Sequence, residues 1–312
     1  MTTPPDQTGG VSPAAAFSRL ANETRVAILR ALGESGERDP RRFPYKPFDT
    51  DDPEGLSYSE LRARADVNDS GRFNYHLGKL LDVFVEQSGD TYRLSWLGVL
   101  AFRFVVAGVL HDQVTLEPFE TDSACGECGT PLEASYPRGR LFVLECPDCS
   151  CRVAGVDIPT HAVRNRSRAE LLRVVDKRQR AQLSLLRDGI CYWCAGRVDG
   201  AVHRLPSGTV DGVRRTQPVV TLLCRDCGGV RFPSVGSVVA TDPRVGAFLV
   251  QHTTDDADDR FCWEWPFTTA SDAVTLQSTD PLVLTVDVVA EDDARLAVTV
   301  DETGTVAGVE RR

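Results

Sequence analysis

Cysteine is missing from this 312-residue chain until Cys125, the first of ten. Eight of them form four Cys-x-x-Cys pairs: Cys125 with Cys128, Cys146 with Cys149, Cys191 with Cys194, and Cys224 with Cys227. The first two pairs are separated by 17 residues and the last two by 29. A two-residue gap lets both sulfurs turn onto one ion, and two such turns complete a tetrahedral shell. The first spacing is a strong zinc-ribbon signal. The second keeps the same ends around a longer loop.

Glycines at positions 126, 129, 228 and 229, together with Pro147, suit tight knuckles. Residues 141–145 and 218–223 precede the second knuckle of each set and read as strands that deliver it. Disulfides are disfavoured, because the N-terminal stretch Met1-Thr2-Thr3-Pro4-Pro5-Asp6 is polar and lacks signal-peptide character. A redox-active pair would want a helix behind one knuckle. A catalytic zinc keeps an open position, usually with a His or carboxylate ligand, whereas four cysteines close the shell. The expectation is two structural Zn2+ ions per chain, one on Cys125, Cys128, Cys146 and Cys149, the other on Cys191, Cys194, Cys224 and Cys227. Cys151 could substitute for Cys149, although the spacing favours Cys149; Cys262 reads as a small core hydrophobe.

The first third has another pattern. Phe73, Leu77, Leu80 and Leu81 share one helical face, while Arg72, Tyr75 and Lys79 fall opposite, with Asn74 toward the edge. Asp69 or Ser70 can cap this helix. A short helix with one apolar face and one donor-rich face suits a DNA major groove. An ordinary surface helix would look similar, and the flanks decide between them. Upstream, Val26, Leu29 and Leu32 repeat every three residues with Ile28 alongside, ending at Gly33; Ser57 and Glu60 then stand at capping-box spacing before a second short helix. Downstream, residues 83–87 and 91–94 are strand-like on either side of Ser88-Gly89-Asp90. Helix, helix, helix, hairpin is the order of a winged helix-turn-helix.

The stretch from Leu20 to Leu29 resembles the opening helix of winged-helix regulators of the arsenical-repressor class, and that from Asp69 to Leu80 resembles the recognition-helix region of haloarchaeal members of that group. The resemblance covers about the first third, and the later cysteine domains also fit haloarchaeal relatives. It implies a transcriptional regulator that binds double-stranded DNA, and pairing of two subunits through helices flanking the wing. The pattern departs in the insert at 34–56, rich in Pro, Asp and Arg. Members of this class often sense metals through cysteines in or beside the winged helix, yet residues 1–124 contain none. An effector would therefore have to act through the later domains or the dimer helix.

Charge bears on the partner. The formal net charge is −10, but residues 236–312 alone carry 5 basic and 15 acidic groups, and residues 70–81 have two bases and no acid. Of the 35 bases only Lys46, Lys79 and Lys177 are lysines. Few lysines and scattered Asp-Asp pairs fit a salt-loving host, where an acidic surface maintains solubility. The most lipid-like run, residues 96–110, is 15 residues long with Arg103 near its middle, short of the roughly 20 that a membrane span needs. It reads as a buried helix after the wing, capped by Ser95 and apolar enough for core packing or a subunit seam. A cytoplasmic, membrane-free location follows as the expectation.

Residues 167–188 read as a basic helix ending at Gly189, residues 245–250 as a short helix or strand, and residues 282–288, 295–300 and 305–309 as strands of a small sheet. The five histidines are scattered, and no Gly-rich phosphate loop or nucleophile signature occurs, which argues against an enzyme. The expected fold is α+β multidomain: a disordered N-terminus at 1–12, a winged helix-turn-helix with dimer helix at 13–116, and zinc ribbons at 120–160 and 190–235. A basic helix at 161–189 links the ribbons, and an acidic β-rich antiparallel unit occupies 236–312. The expected function is a homodimeric, sequence-specific DNA-binding transcriptional regulator, with Arg72, Asn74, Tyr75, Lys79 and the wing residue Arg93 meeting DNA. The alternatives are a zinc-ribbon scaffold contacting transcription-machinery protein without direct DNA readout, and a nucleic-acid-processing enzyme.

Overall fold

The computed structural model describes residues 11–35, 55–109, 114–137, 141–203, 209–210, 213–253 and 260–312. The chain divides into two compact units, residues 1–112 and 113–312. The first ten residues of the expected disordered terminus, and nearly all of the 34–56 insert, lie outside the described residues.

The first unit is a winged helix-turn-helix. Helices α1 (Pro13–Leu20) and α2 (Glu23–Gly33) lead in, with the side chain of Asn22 accepting from the Thr24 and Arg25 amides at the start of α2. Strand β1 (Leu56–Ser57) precedes α3 (Tyr58–Arg64), whose capping box of Ser57 and Glu60 is complete. Helix α4 (Ser70–Leu80) is capped by Asp69, whose Oδ1 accepts from the Arg72 amide at 2.8 Å. Strands β2 (Val85–Ser88) and β3 (Thr91–Leu94) pair around the two-residue turn Gly89-Asp90, where Gly89 takes a positive φ. β1 adds to the free edge of β3, a pairing too short to read from sequence.

The core of this unit is built from Ile28, Leu29 and Leu32 of α2, Leu61 of α3, Phe73, Leu77 and Leu80 of α4, and Val83, Phe84 and Val85 at the wing. Burying each such side chain contributes roughly 1.5–3 kcal/mol. Val26, expected on the core face, is only half-buried; Ile28 and Ala31 take its place. Helix α5 (Trp96–Ala107) follows the wing, capped by Ser95, and packs on α2, where a Cβ at Gly33 would strike the Phe102 ring. It is not the buried helix expected: only Gly98 and Phe102 are buried, and Trp96, Leu97 and Phe104 are 44–52 % exposed.

The second unit begins with an antiparallel sheet in chain order, β4 (Leu116–Ala124), β5 (Pro131–Tyr136), β6 (Leu141–Glu145) and β7 (Arg152–Asp157). A short α6 (Thr160–Arg164) precedes the 20-residue α7 (Arg168–Arg187), capped by the Ser167–Glu170 box. Strand β8 (Val198–His203) pairs with β11 (Val219–Cys224), which also pairs with β12 (Val230–Arg231); β9 (Thr209–Val210) and β10 (Val213–Arg214) form a small ladder between them in sequence. Helices α8 (Val235–Val239), α9 (Pro243–Gln251) and α10 (Pro266–Thr269) follow; residues 245–250 are therefore helical. The chain ends in a four-stranded antiparallel sheet of β13 (Val274–Thr279), β14 (Leu282–Val289), β15 (Arg295–Asp301) and β16 (Val306–Arg311).

Helix α7 joins two cores. Leu171, Leu172 and Val175 of its first half pack with β4–β7, whereas Leu183 and Leu186 of its second half pack with β11, α8, α9 and the C-terminal sheet. Between them lie the buried polar residues Asp176, Gln179 and Gln182. Asp176 pairs with Arg180 and accepts from the Cys262 amide, and Gln179 donates to Cys262 Sγ at 3.4 Å. The basic face of the helix is partly spent on internal ties: Arg178 Nε donates to the Asp157 carbonyl, and Arg180 to that of Arg260.

One buried group makes the first unit sensitive to pH. His76 is nine-tenths buried in α4, and its Nδ1 has no partner among the described residues. Burial, with Arg25 and Arg72 nearby, holds its pKa below the ordinary 6.5. The unfolded chain binds this proton more readily than the folded one, so the contribution is complete above pH 6.5 and is lost as pH falls from there through the lower pKa of the folded state. Urea unfolding of the full chain between about pH 5 and 8 should show a loss of stability on the acid side that His76→Leu removes. Identical slopes for parent and variant would rule out this origin.

Candidate metal centres and recognition face

The four Cys-x-x-Cys turns are built alike. In each, the amide four residues after the first cysteine donates to that cysteine's carbonyl, and the first cysteine's own amide donates to the carbonyl five residues on. The pairs are Gly129 and Thr130 for Cys125, Ser150 and Cys151 for Cys146, Ala195 and Gly196 for Cys191, and Gly228 and Gly229 for Cys224. The residue after the second cysteine has positive φ every time: Gly129 at 75°, Ser150 at 57°, Ala195 at 57° and Gly228 at 70°. That left-handed residue lets the chain double back and turns both sulfurs to one side. Cys149 also donates its amide to Cys146 Sγ at 3.5 Å.

The folded sheets bring these turns together in the expected pairs. The Sγ atoms of Cys125, Cys128, Cys146 and Cys149 lie within 4.8 Å of one another, and so do those of Cys191, Cys194, Cys224 and Cys227. Adjacent sulfurs stand 3.7 Å apart for Cys125 and Cys149, 3.4 Å for Cys128 and Cys146, 3.8 Å for Cys191 and Cys227, and 3.5 Å for Cys194 and Cys224. A tetrahedral ion with metal–sulfur bonds of about 2.3 Å sets its sulfurs roughly 3.8 Å apart. These are two four-cysteine metal-binding sites, and the residues fit the group. Cys149 rather than Cys151 completes the first: Cys151 is buried beside it and serves through its carbonyl. Cys262 sits in the core on α7.

The protons on these thiols are unequally held. Burial pushes Cys125 up to about 12, while Cys128, exposed and hydrogen-bonded to the Thr130 side chain, is pulled down to about 6. A bound divalent ion deprotonates a coordinating thiol outright. Loading must displace tightly held protons, so affinity falls with pH.

Sequence did not reveal how the two centres are tied to each other. Arg214 donates to the Cys149 carbonyl at 2.9 Å, reaching from the second ribbon's loop to the first ribbon's knuckle. Tyr192, inside the third knuckle, donates to Asp157 Oδ2 at 2.9 Å, and Arg231 bonds both groups. Glu127, inside the first knuckle, accepts from the amide and hydroxyl of Ser271. The partners are separated by 35 to 144 residues in sequence, with no local pattern to announce them.

On α4, Arg72, Asn74, Tyr75 and Lys79 are all exposed, Tyr75 at 63 %. Lys79 Nζ lies 5.5 Å from the Tyr75 ring centre. Arg72 is also engaged inside the unit, donating to Thr24 Oγ1 at 3.1 Å. Arg93, on the wing, is half-buried and pairs with Glu86 across the hairpin at 3.2 Å. None of the described helices is long and apolar enough to cross a membrane.

Because the centres share hydrogen bonds, the loss of one metal should be felt beyond its own ribbon. Elemental analysis is expected to give two zinc ions per chain, and Cys128→Ser one. The same variant should lower the thermal midpoint of the whole second unit in a single transition, since Arg214 and Ser271 lose their fixed partners in the first centre. Two zinc ions in Cys128→Ser, or an unchanged midpoint, would contradict this linkage.

No curated protein and no solved structure matches the chain. Two family descriptions do. Residues 13–105 match a domain of unknown function, DUF7347, which takes in the winged helix-turn-helix. Residues 122–306 match a second, also described as a domain of unknown function, DUF7351. That match runs over both four-cysteine centres and spans more than half of the chain, which therefore belongs to the DUF7351 family.

Proposed function

We propose that this chain is a homodimeric, sequence-specific DNA-binding transcriptional regulator, working in the cytoplasm, whose two metals are structural zinc. The observation that carries this is the exposed face of α4. Phe73, Leu77 and Leu80 seat the helix in the core, leaving Arg72, Asn74, Tyr75 and Lys79 outward with no acid anywhere in the helix. Gly78 adds support. It is exposed, has an ordinary helical φ, and a Cβ there would meet nothing within 4 Å. A mid-helix glycine costs about 0.8–1.0 kcal/mol relative to Ala. Its presence without an internal packing reason fits close approach of another molecule's backbone.

Four cysteines in each centre leave no ligand position open, which favours a structural over a catalytic metal. The subunit seam is assigned to α5. Trp96, Leu97, Leu100 and Phe104 line one side of it, and all but the half-buried Leu100 are exposed. A second function, as an interaction scaffold for transcription-machinery protein, is favoured by Trp193, Leu223 and Val230. All three are exposed on the second ribbon, the last two as cross-strand neighbours.

Four variants test the DNA assignment. Lys79→Ala should leave folding intact and lower the salt slope of binding by about one unit if it meets a phosphate; Asn74→Ala should cost about 1–3 kcal/mol if it meets a base edge. Gly78→Ala should raise stability by about 1 kcal/mol while weakening DNA binding. Unchanged affinity with Arg72, Asn74, Tyr75 and Lys79 all replaced by alanine would leave the scaffold function standing instead.

The seam has its own test. A charge at Val106 would also disturb the unit's own packing, because Val106 is half-buried, so Phe104, which is 44 % exposed, is the better probe. Sedimentation of Phe104→Glu should show monomers with reduced DNA affinity. A dimer that survives and binds normally would remove α5 from the mechanism.

A further inference from the structure

The second unit contains a cleft of about 210 Å3 where the two metal-bearing sheets face the middle of α7. One wall comes from β6 and β7, the other from β12 and the chain leading into β11. A dry cavity of about 150 Å3 takes up benzene in another protein, so this space admits a small ring or a short chain.

Its chemistry is unbalanced toward donors. Arg152, Arg215 and Arg231 contribute to the wall. Arg215 is engaged within the unit, donating to the Arg152 carbonyl, and Arg231 Nη2 meets Asp157, Tyr192 and Gln182; Arg152 pairs with Glu145, whose single carboxylate does not use all five N–H groups of a guanidinium. Glu127 is the one carboxylate in the lining, and it is held by Ser271. Gln182 is a second, independent sign. It is 6 % exposed, its Oε1 faces Arg231, and its amide Nε2 has no acceptor among the described residues. A buried amide without an acceptor is costly, and native structures satisfy nearly all of them. Val153, Leu183 and Phe232 form an apolar part of the wall, beside the uncharged polar side chains of Thr216, Gln217, Ser234 and Thr268.

We propose that this cleft binds a small carboxylate with an apolar body. The carboxylate oxygens accept from the Gln182 amide and from N–H groups of Arg152, and the body lies against Val153, Leu183 and Phe232. Such a ligand touches both metal-bearing sheets at once, so its binding adds to the free energy that holds them together. The site is independent of whether α4 reads DNA.

Equilibrium dialysis of the intact, zinc-loaded chain against benzoate tests it, with benzamide as the neutral isostere and inorganic phosphate as the bare anion. Benzoate should be retained saturably, and benzamide and phosphate roughly tenfold more weakly. Gln182→Leu removes the orphan donor, and Ser237→Phe narrows the cleft from the α8 side. Each should abolish retention while zinc content and thermal midpoint hold. Should Gln182→Leu fail to fold, Ser237→Phe decides. The assignment is overturned if benzoate is not retained, if benzamide or phosphate is retained as tightly, or if Ser237→Phe leaves benzoate retention intact.

Discussion

Eight sulfurs gathered into two knots set the terms for everything after residue 113. Four thiolates within 4.8 Å of one another repel strongly, and only a cation at their centre makes the arrangement favourable. The knuckles therefore have to be held in place by something that does not itself depend on charge. Antiparallel strands provide it: β5 and β6 bracket the first centre, and β8 and β11 the second. Each strand end delivers its turn at a fixed height, and the repeated amide–carbonyl pattern of the turns aims the sulfurs.

Helix α7 answers a different constraint. Two sheets with separate apolar faces need a common backing, and one 20-residue helix supplies it by packing a different half against each. The join between the halves cannot be apolar throughout, because the chain at 260–264 brings backbone groups there that need partners. Asp176 is nearly fully buried yet doubly satisfied, by Arg180 and by the Cys262 amide. A buried charge of this kind is tolerated only when paired, and removing Arg180 would leave it costly.

How much of this was legible in the sequence follows from how local each signal is. The knuckles and the capping box at Ser57 are written within six residues, and all appear in the structure as read; the equally local box of Ser167 and Glu170 goes unread. The apolar stripe of α4 was equally local. The sequence places helix α5 where it occurs, but the hydrophobicity that predicts burial there leaves Trp96, Leu97 and Phe104 exposed. Composition fixes the preference to leave water, not which partner meets it, and the unit offers α5 only one packed side. Strand β13 carries no readable strand signal, because Val274-Thr275-Leu276-Gln277-Ser278-Thr279 is largely polar and lies at a sheet edge. Ties such as Arg214 to Cys149 or Glu127 to Ser271 join residues 65 and 144 positions apart, and no periodicity encodes them.

The four knuckles share one geometry but not one residue. In the first centre the left-handed position is Gly129 after one pair and Ser150 after the other; in the second it is Ala195 and then Gly228. Glycine occupies that region freely, whereas a residue with a Cβ gives up roughly 1–2 kcal/mol to stay there. Each centre thus has one relaxed jaw and one sprung jaw. While the ion is bound the difference is hidden. The residues that would hold an ion divide within each centre: Cys125 and Cys128, and Cys224 and Cys227, would bind it from a turn free of that backbone cost, and their opposite pairs from a turn that carries it.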